Sequence, residues 1–253
     1  MRRIELGGDP LTNVRSNLYP IDLAGDRRPV PDEIDVGDCA ISGHLPEGLR
    51  GCFVRNGPNP LFEPIGRYSV LDGDGMLHGI TFSDEGVSYR NRWIRSKGLL
   101  AEVAHGAAID PGLGNVMDFP DRSLTGAAGP VKNPANTHIV RHADRWLALW
   151  EGGLPTEVTA DLDTVGEHDF DGRLRGPMTA HPRLDPRTGE MVMFGYSLFE
   201  PYLRYDVVDP DGTLSHSVEL DLPAPVMMHD LVITEEHAVF LDSPYVFDLA
   251  NLG

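Results

Sequence analysis

The chain has 253 residues, with 21 basic against 39 acidic side chains and a formal net charge of −18, and its sequence pI is about 4.8. That balance excludes a nucleic-acid binder, which would need a basic face. Apolar residues make up 41% and charged residues 24%, so a sizeable core can be buried and general disorder is not expected.

In chain order, MRRIELGGDP opens with basic residues but no apolar run follows, so it does not read as a secretory signal. No stretch approaches the ~18 consecutive apolar residues of a membrane span. The two cysteines, Cys39 and Cys52, cannot form a disulfide framework and read as reduced thiols. A soluble cytoplasmic protein is therefore the expectation. Residues 1–50 are rich in Pro, Asp and Gly and read as an extended arm with short β pieces. Residues 51–253 alternate short apolar runs with turn signals such as Asp72-Gly73, Asp74-Gly75, Asp171-Gly172 and Asp211-Gly212. The predicted strands are 52–56, 76–82, 87–95, 137–141, 145–150, 190–197, 203–208, 213–220, 230–234 and 238–242. Sustained helical periodicity is nearly absent, so the fold class is antiparallel all-β.

A repeat in the second half sets the architecture. Residues 178–181, 190–197, 203–208 and 213–220 form four short strands joined by turns, which is the content of one propeller blade. Met227-Met228-His229-Asp230 then opens a second set as Met178-Thr179-Ala180-His181 opened the first, 48 residues later from histidine to histidine. Blade periods are about 40–50 residues. Innermost strands of successive blades line the axis, so both imidazoles could point at one place on it. Stepping back by a similar period reaches His138, and spacing alone leaves His78, His138, His181 and His229 unranked as metal-ligand candidates.

Other chemistry lacks support in the sequence. The segment RNGPNP is not a phosphate loop, because the GxxxxGK[ST] pattern and its following helix are missing. Neither a Gly-x-Ser-x-Gly elbow nor a Cys-His arrangement suggests a nucleophilic hydrolase.

Several segments together resemble the carotenoid cleavage oxygenase family, which includes carotenoid and apocarotenoid dioxygenases, lignostilbene dioxygenases and retinoid isomerases. They are GCFVRNGPNP at 51–60, DGDGMLHG at 72–79, YRNRWIR at 89–95, Asn136-Thr137, LALWEGGLP at 147–155, DFDG at 169–172, TAHP at 179–182, DPRTGE at 185–190 and Met228-His229-Asp230. The resemblance implies a seven-bladed β-propeller, of which this chain would supply about three blades and part of another as an N-terminal half.

It further implies one ferrous ion, Fe(2+), per full-length protein, held by four histidines and no carboxylate. His181 and His229 match the first two ligands. His138 and His78 fall at positions that do not bind iron in relatives. Glu151 matches one of three glutamates that accept hydrogen bonds from iron-ligand imidazoles, and its expected partner is His229. Imidazole suits Fe(II), and open coordination positions admit dioxygen. Family substrates are conjugated alkenes, split with O2 into two carbonyl products. The stilbene-cleaving branch carries a lysine immediately before the glutamate, where it binds a phenolic oxygen. Here that residue is Trp150, so an apolar polyene, a carotenoid or apocarotenoid, ranks ahead of a hydroxystilbene, and Trp150 is either a substrate contact or a core residue.

The stretch from Leu99 to Ile109 falls near the apolar substrate entrance that faces membranes in some relatives. It reads either as a peripheral bilayer contact or as an ordinary surface helix. The third and fourth histidines and the other two glutamates are expected beyond Gly253, and the chain alone is expected to be inactive. A non-catalytic half-propeller serving as a binding module is the rival from another class, and the oligomeric state is not legible in the sequence.

Overall fold

The computed structural model describes residues 23, 28–66, 68–69, 71–113, 121–128, 131–242 and 246. Strand β1 (Asp35–Val36), β2 (Gly51–Pro58), β3 (Gly75–Ser83) and β4 (Gly86–Trp93) form one antiparallel sheet in the order β1-β4-β3-β2. The short β1 pairs Asp35 with Arg90 and Val36 with Tyr89, so the early segment closes the outer edge of this sheet. A second sheet runs β5-β6-β7-β8, from β5 (His138–His142), β6 (Arg145–Leu149), β7 (Thr156–Val158) and β8 (Thr164–Glu167). The third contains β9 (Arg183–Leu184), β10 (Met191–Tyr196), β11 (Leu203–Val208) and β12 (Leu214–Leu220), in the order β12-β11-β10-β9. Strands β13 (Leu231–Ile233) and β14 (Ala238–Phe240) make a two-stranded start to a fourth. Three four-stranded sheets and a partial one are the blade content that the resemblance implies.

The sheets stack face to face because their middle strands are apolar on both sides. Successive side chains of a strand point to opposite faces. In β10, Met191 and Met193 therefore join Leu147, Leu149 and Phe170 in a cluster against the second sheet. Val192 and Phe194 turn the other way and pack with Leu203, Met228 and Leu231 toward the fourth. Strand β6 repeats the device, since Leu147 and Leu149 face the third sheet while Ala148 packs with Leu77 and Ile139 toward the first. Each large side chain buried this way contributes roughly 1.5–3 kcal/mol.

The β5–β6 hairpin turns on Ala143 and Asp144, whose φ values are 46° and 61°. Positive φ at both central positions is the backbone a two-residue hairpin needs, and His142 pairs with Arg145 directly across it.

Two expected features differ in the structure. Residues 178–181 are not a strand: Thr179 Oγ1 accepts the His181 N–H at 3.0 Å, and the next residue, Pro182, has no N–H to offer a ladder. Of this stretch, Arg183–Leu184 alone forms a ladder with β10. Asp74-Gly75 is not a hairpin turn either, because Gly75 begins β3 and sits where a Cβ would lie 2.7 Å from the carbonyl oxygens of Pro134 and Ala135.

Asp74 instead enters a buried ionic cluster. Helix α1 (Lys97–His105) is capped by Ser96 Oγ, which accepts the Leu99 N–H, and ends at Gly106 in the left-handed region. Its inward face carries Leu99, packed with Met76 and Trp93, and Glu102. Lys132 Nζ lies 2.6 Å from Glu102 Oε2 and 2.6 Å from Asp74 Oδ1. The second oxygen of Glu102 accepts the N–H groups of Ile109 and Asp110, while Asp74 Oδ2 accepts that of Leu61. Burial pushes the Lys132 ammonium down, but the two carboxylates outweigh it and hold its pKa above the usual value. A short helix α2 (Arg122–Thr125) and a 3₁₀ turn (Gly126–Ala128) follow. Among the described residues no helix is long and apolar enough to cross a membrane, and both cysteines are free.

Candidate metal centre

His181 and His229 occupy equivalent places, each two residues ahead of a strand, β9 for the first and β13 for the second. Local structure fixes both segments. Before His181, the Met178 N–H donates to the Gly153 carbonyl and the Thr179 N–H to the Phe194 carbonyl at 2.6 Å. Met178 and Ala180 are buried in the core between the second and third sheets. Next to His229, Met228 and Leu231 are buried in the core between the third and fourth sheets. The apolar neighbours are thus driven inward, and the histidines are left on the rim.

The two rings meet there. Their centroids are 4.8 Å apart with an interplanar angle of 71°, an edge-to-face contact. Glu151 stands on the turn after β6 and accepts a hydrogen bond from His229 Nδ1 at 2.8 Å. The imidazole is 57% exposed and the carboxylate 18%. With Nδ1 engaged, Nε2 is the nitrogen left for a metal, and a carboxylate at the opposite ring atom is the partner metal-bound histidines ordinarily have. Among the described residues no side chain hydrogen-bonds the ring of His181.

Of the other histidines, His138 at the start of β5 lies 6.3 Å from His181 between ring centroids. Burial, then the neighbouring His181 and Arg183, hold its pKa below the usual imidazole value. His78, on β3 of the first sheet, hydrogen-bonds Tyr89 through Nδ1 at 2.7 Å. Among the described residues no group of three or more His, Cys, Asp or Glu side chains is arranged to hold a metal ion; the chain brings together two imidazoles and one supporting carboxylate. Trp150 is half-buried, and its indole covers Gly152 so closely that a Cβ there would lie 2.4 Å from the ring.

Two contributors were not anticipated from the sequence. Tyr196, at the end of β10, hydrogen-bonds the Glu151 carboxylate through its hydroxyl; burial and the Glu151 charge both push its phenol pKa up. Arg183 reaches across from β9 to the segment that bears His229, as described below. Neither belongs to a recognisable motif, and no spacing rule would have singled them out.

The geometry can be set beside known proteins. A carotenoid 9,10(9',10')-cleavage dioxygenase of Arabidopsis thaliana is 39% identical over 89% of this chain, which covers 45% of that protein. The crystal structure of a lignostilbene dioxygenase of Pseudomonas brassicacearum superposes with a TM-score of 0.79 at 33% identity, covering 88% of this chain and 47% of that one. A cobalt-substituted apocarotenoid oxygenase of Synechocystis gives a TM-score of 0.69 at 31% identity, covering 92% and 49%. The chain thus spans about half the length of the relatives it matches. The model of the RPE65 family, described as retinal pigment epithelial membrane protein, matches residues 27–253, and by this match, the blade architecture and these relatives the chain belongs to that family of carotenoid cleavage oxygenases.

Proposed function

We propose that this chain carries two of the four histidines of a ferrous centre, and that the protein containing it is a dioxygenase cleaving a conjugated double bond of a carotenoid or apocarotenoid. The observation that carries this reading is the His181–His229 pair with Glu151 bonded to the far side of one ring. The donor set fits the metal: neutral imidazoles suit Fe(II), and a site with few protein ligands keeps positions open. The Synechocystis relative described as cobalt-substituted supports a metal in a protein of this family. When bound, iron would supply activation of dioxygen, whose two atoms end in the two carbonyl products.

The protein's own residues do the rest. His181 and His229 hold the cation, and the Glu151 carboxylate keeps the His229 proton on Nδ1 so that Nε2 stays a lone-pair donor. Glu151 also offsets part of a charge that four neutral ligands leave uncompensated. Trp150 supplies an apolar wall in place of a cation for a phenolate, which favours a polyene. Cleavage of a hydroxystilbene is the second reading, favoured by the structural likeness to the lignostilbene dioxygenase. A peripheral bilayer contact through α1 also belongs to this proposal: Leu99 is buried, but Leu100 and Val103 are 50% and 48% exposed on its outer side.

Incubation of the iron-loaded protein with an apocarotenoid and, separately, a hydroxystilbene under O2 tests the reading. Oxygen-dependent formation of two carbonyl products from the polyene is expected. Turnover of the hydroxystilbene alone would select the second reading, and no cleavage of either by an iron-replete protein would favour a non-catalytic binding module.

A further inference from the structure

Arg183 follows His181 by two residues, and Asp230 follows His229 by one. The Arg183 guanidinium donates through Nη2 to Asp230 Oδ1 and Oδ2 at 2.7 and 2.8 Å, and through Nε to the Leu231 carbonyl at 3.0 Å. One side chain thereby grips both a carboxylate and the backbone immediately after His229. The same relation recurs further out: Arg187 Nη2 donates to the Glu235 carbonyl at 3.3 Å, and Nη1 lies 3.2 Å from Glu235 Oε1. Among the described residues no strand ladder joins the third and fourth sheets, so these side chains add directed polar contacts to the apolar packing of Met228 and Leu231 between them.

We propose that Arg183 is a positioning residue that fixes the separation of the His181 and His229 imidazoles by clamping Asp230 and the Leu231 carbonyl. The inference rests on the metal-centre reading above. The pair is partly exposed, Arg183 at 39% and Asp230 at 49%, and exposed ion pairs contribute little to global stability. Its geometry, in contrast, uses the fixed planar fork that arginine offers and lysine does not. A structural role and a positioning role therefore separate: the first would move the thermal midpoint, the second the metal affinity and the ring-to-ring distance.

Arg183→Ala, Arg183→Lys and Asp230→Asn, made in the protein that carries this chain, test it with two readouts. Co(II) titration of the metal-free protein should show affinity lowered about tenfold in all three, the lower end of the effect of groups that orient metal ligands, with the midpoint nearly unchanged. Proton NMR of selectively histidine-labelled, metal-free protein should show a cross-relaxation peak between the His181 and His229 rings that is lost in Arg183→Ala and weakened in Arg183→Lys. If the ring-to-ring peak persists in Arg183→Ala, or affinity stays within twofold, the proposal is wrong. Full rescue by lysine would also overturn it, because a point charge would then suffice. Should the unaltered protein fail to bind Co(II), the metal reading falls, yet the metal-free peak still decides whether Arg183 positions the rings.

Discussion

The chain contains two polar clusters built on opposite plans. Around Lys132, one ammonium and two carboxylates are buried, with side-chain exposures of 12% for Lys132 and 4% each for Asp74 and Glu102, and further oxygens are spent on backbone N–H groups. Around His229, one ring edge is anchored by Glu151 and the ring meets His181, while more than half of the imidazole stays exposed. A buried charge cluster is tolerable only when every member is paired, so the first is closed chemistry that ties α1 to the first sheet. The second keeps donor capacity in reserve, as the proposed role of His229 as a metal ligand requires. Depth and satisfaction, more than residue type, separate the two clusters.

The comparison breaks most visibly at Lys132. Lys132→Met should destabilise by about 3–5 kcal/mol in urea unfolding, because two carboxylates are left buried without a counter-charge. Adding Asp74→Asn and Glu102→Gln to the same protein should recover much of the loss. At the open cluster the currency is different. Glu151→Gln should lower divalent-metal affinity by roughly ten- to a hundredfold, while the unfolding midpoint hardly moves.

Gly152→Ala probes the wall beside the centre. The new Cβ would meet the Trp150 ring at 2.4 Å, so the indole must shift. A change in tryptophan emission and a raised KM for the polyene are expected, with metal content unchanged. A changed emission with an unchanged KM would show that Trp150 does not contact the substrate.

The smallest effect is a slope with pH. Burial is the main cause holding the imidazoles of His78 and His168 below their usual pKa, with Arg55 and Arg145 next in each case. The unfolded chain therefore takes up protons first as pH falls through about 6.5. The contribution of these residues is fully present above that value and lost below it, so the denaturation midpoint should decline between pH 7.5 and 5.5. His78→Gln should flatten part of the slope; an unchanged slope would mean that the burial of His78 is not coupled to titration.

Much of the fold was legible because its cause is local. Short continuous apolar runs in Met191–Tyr196 and Arg145–Leu149, with turn residues between, specify strands buried on both faces and hence stacked blades. The segment 178–181 was misread because its apolar spacing resembles a strand, whereas the Thr179 hydroxyl and Pro182 remove it from any ladder. Asp74-Gly75 carries the letters of a turn, but the Gly75 N–H donates to the Pro134 carbonyl and the Asp74 side chain pairs with Lys132, 58 residues away. The histidine pair was suggested by the 48-residue offset and ranked above His138 only by family resemblance. Glu151 meets His229 across 78 residues, and Tyr196 and Arg183 join them through contacts that no periodicity encodes.

The central claim is that His181 and His229, and not His138, form the metal centre. Titration of the metal-free protein with Co(II), followed by the visible absorption of the bound ion, tests it in three variants. Binding should be abolished by His181→Ala and by His229→Ala, and left within about twofold by His138→Ala, whose ring stands further from the pair. Loss of binding in His138→Ala together with undiminished binding in His181→Ala would contradict the account.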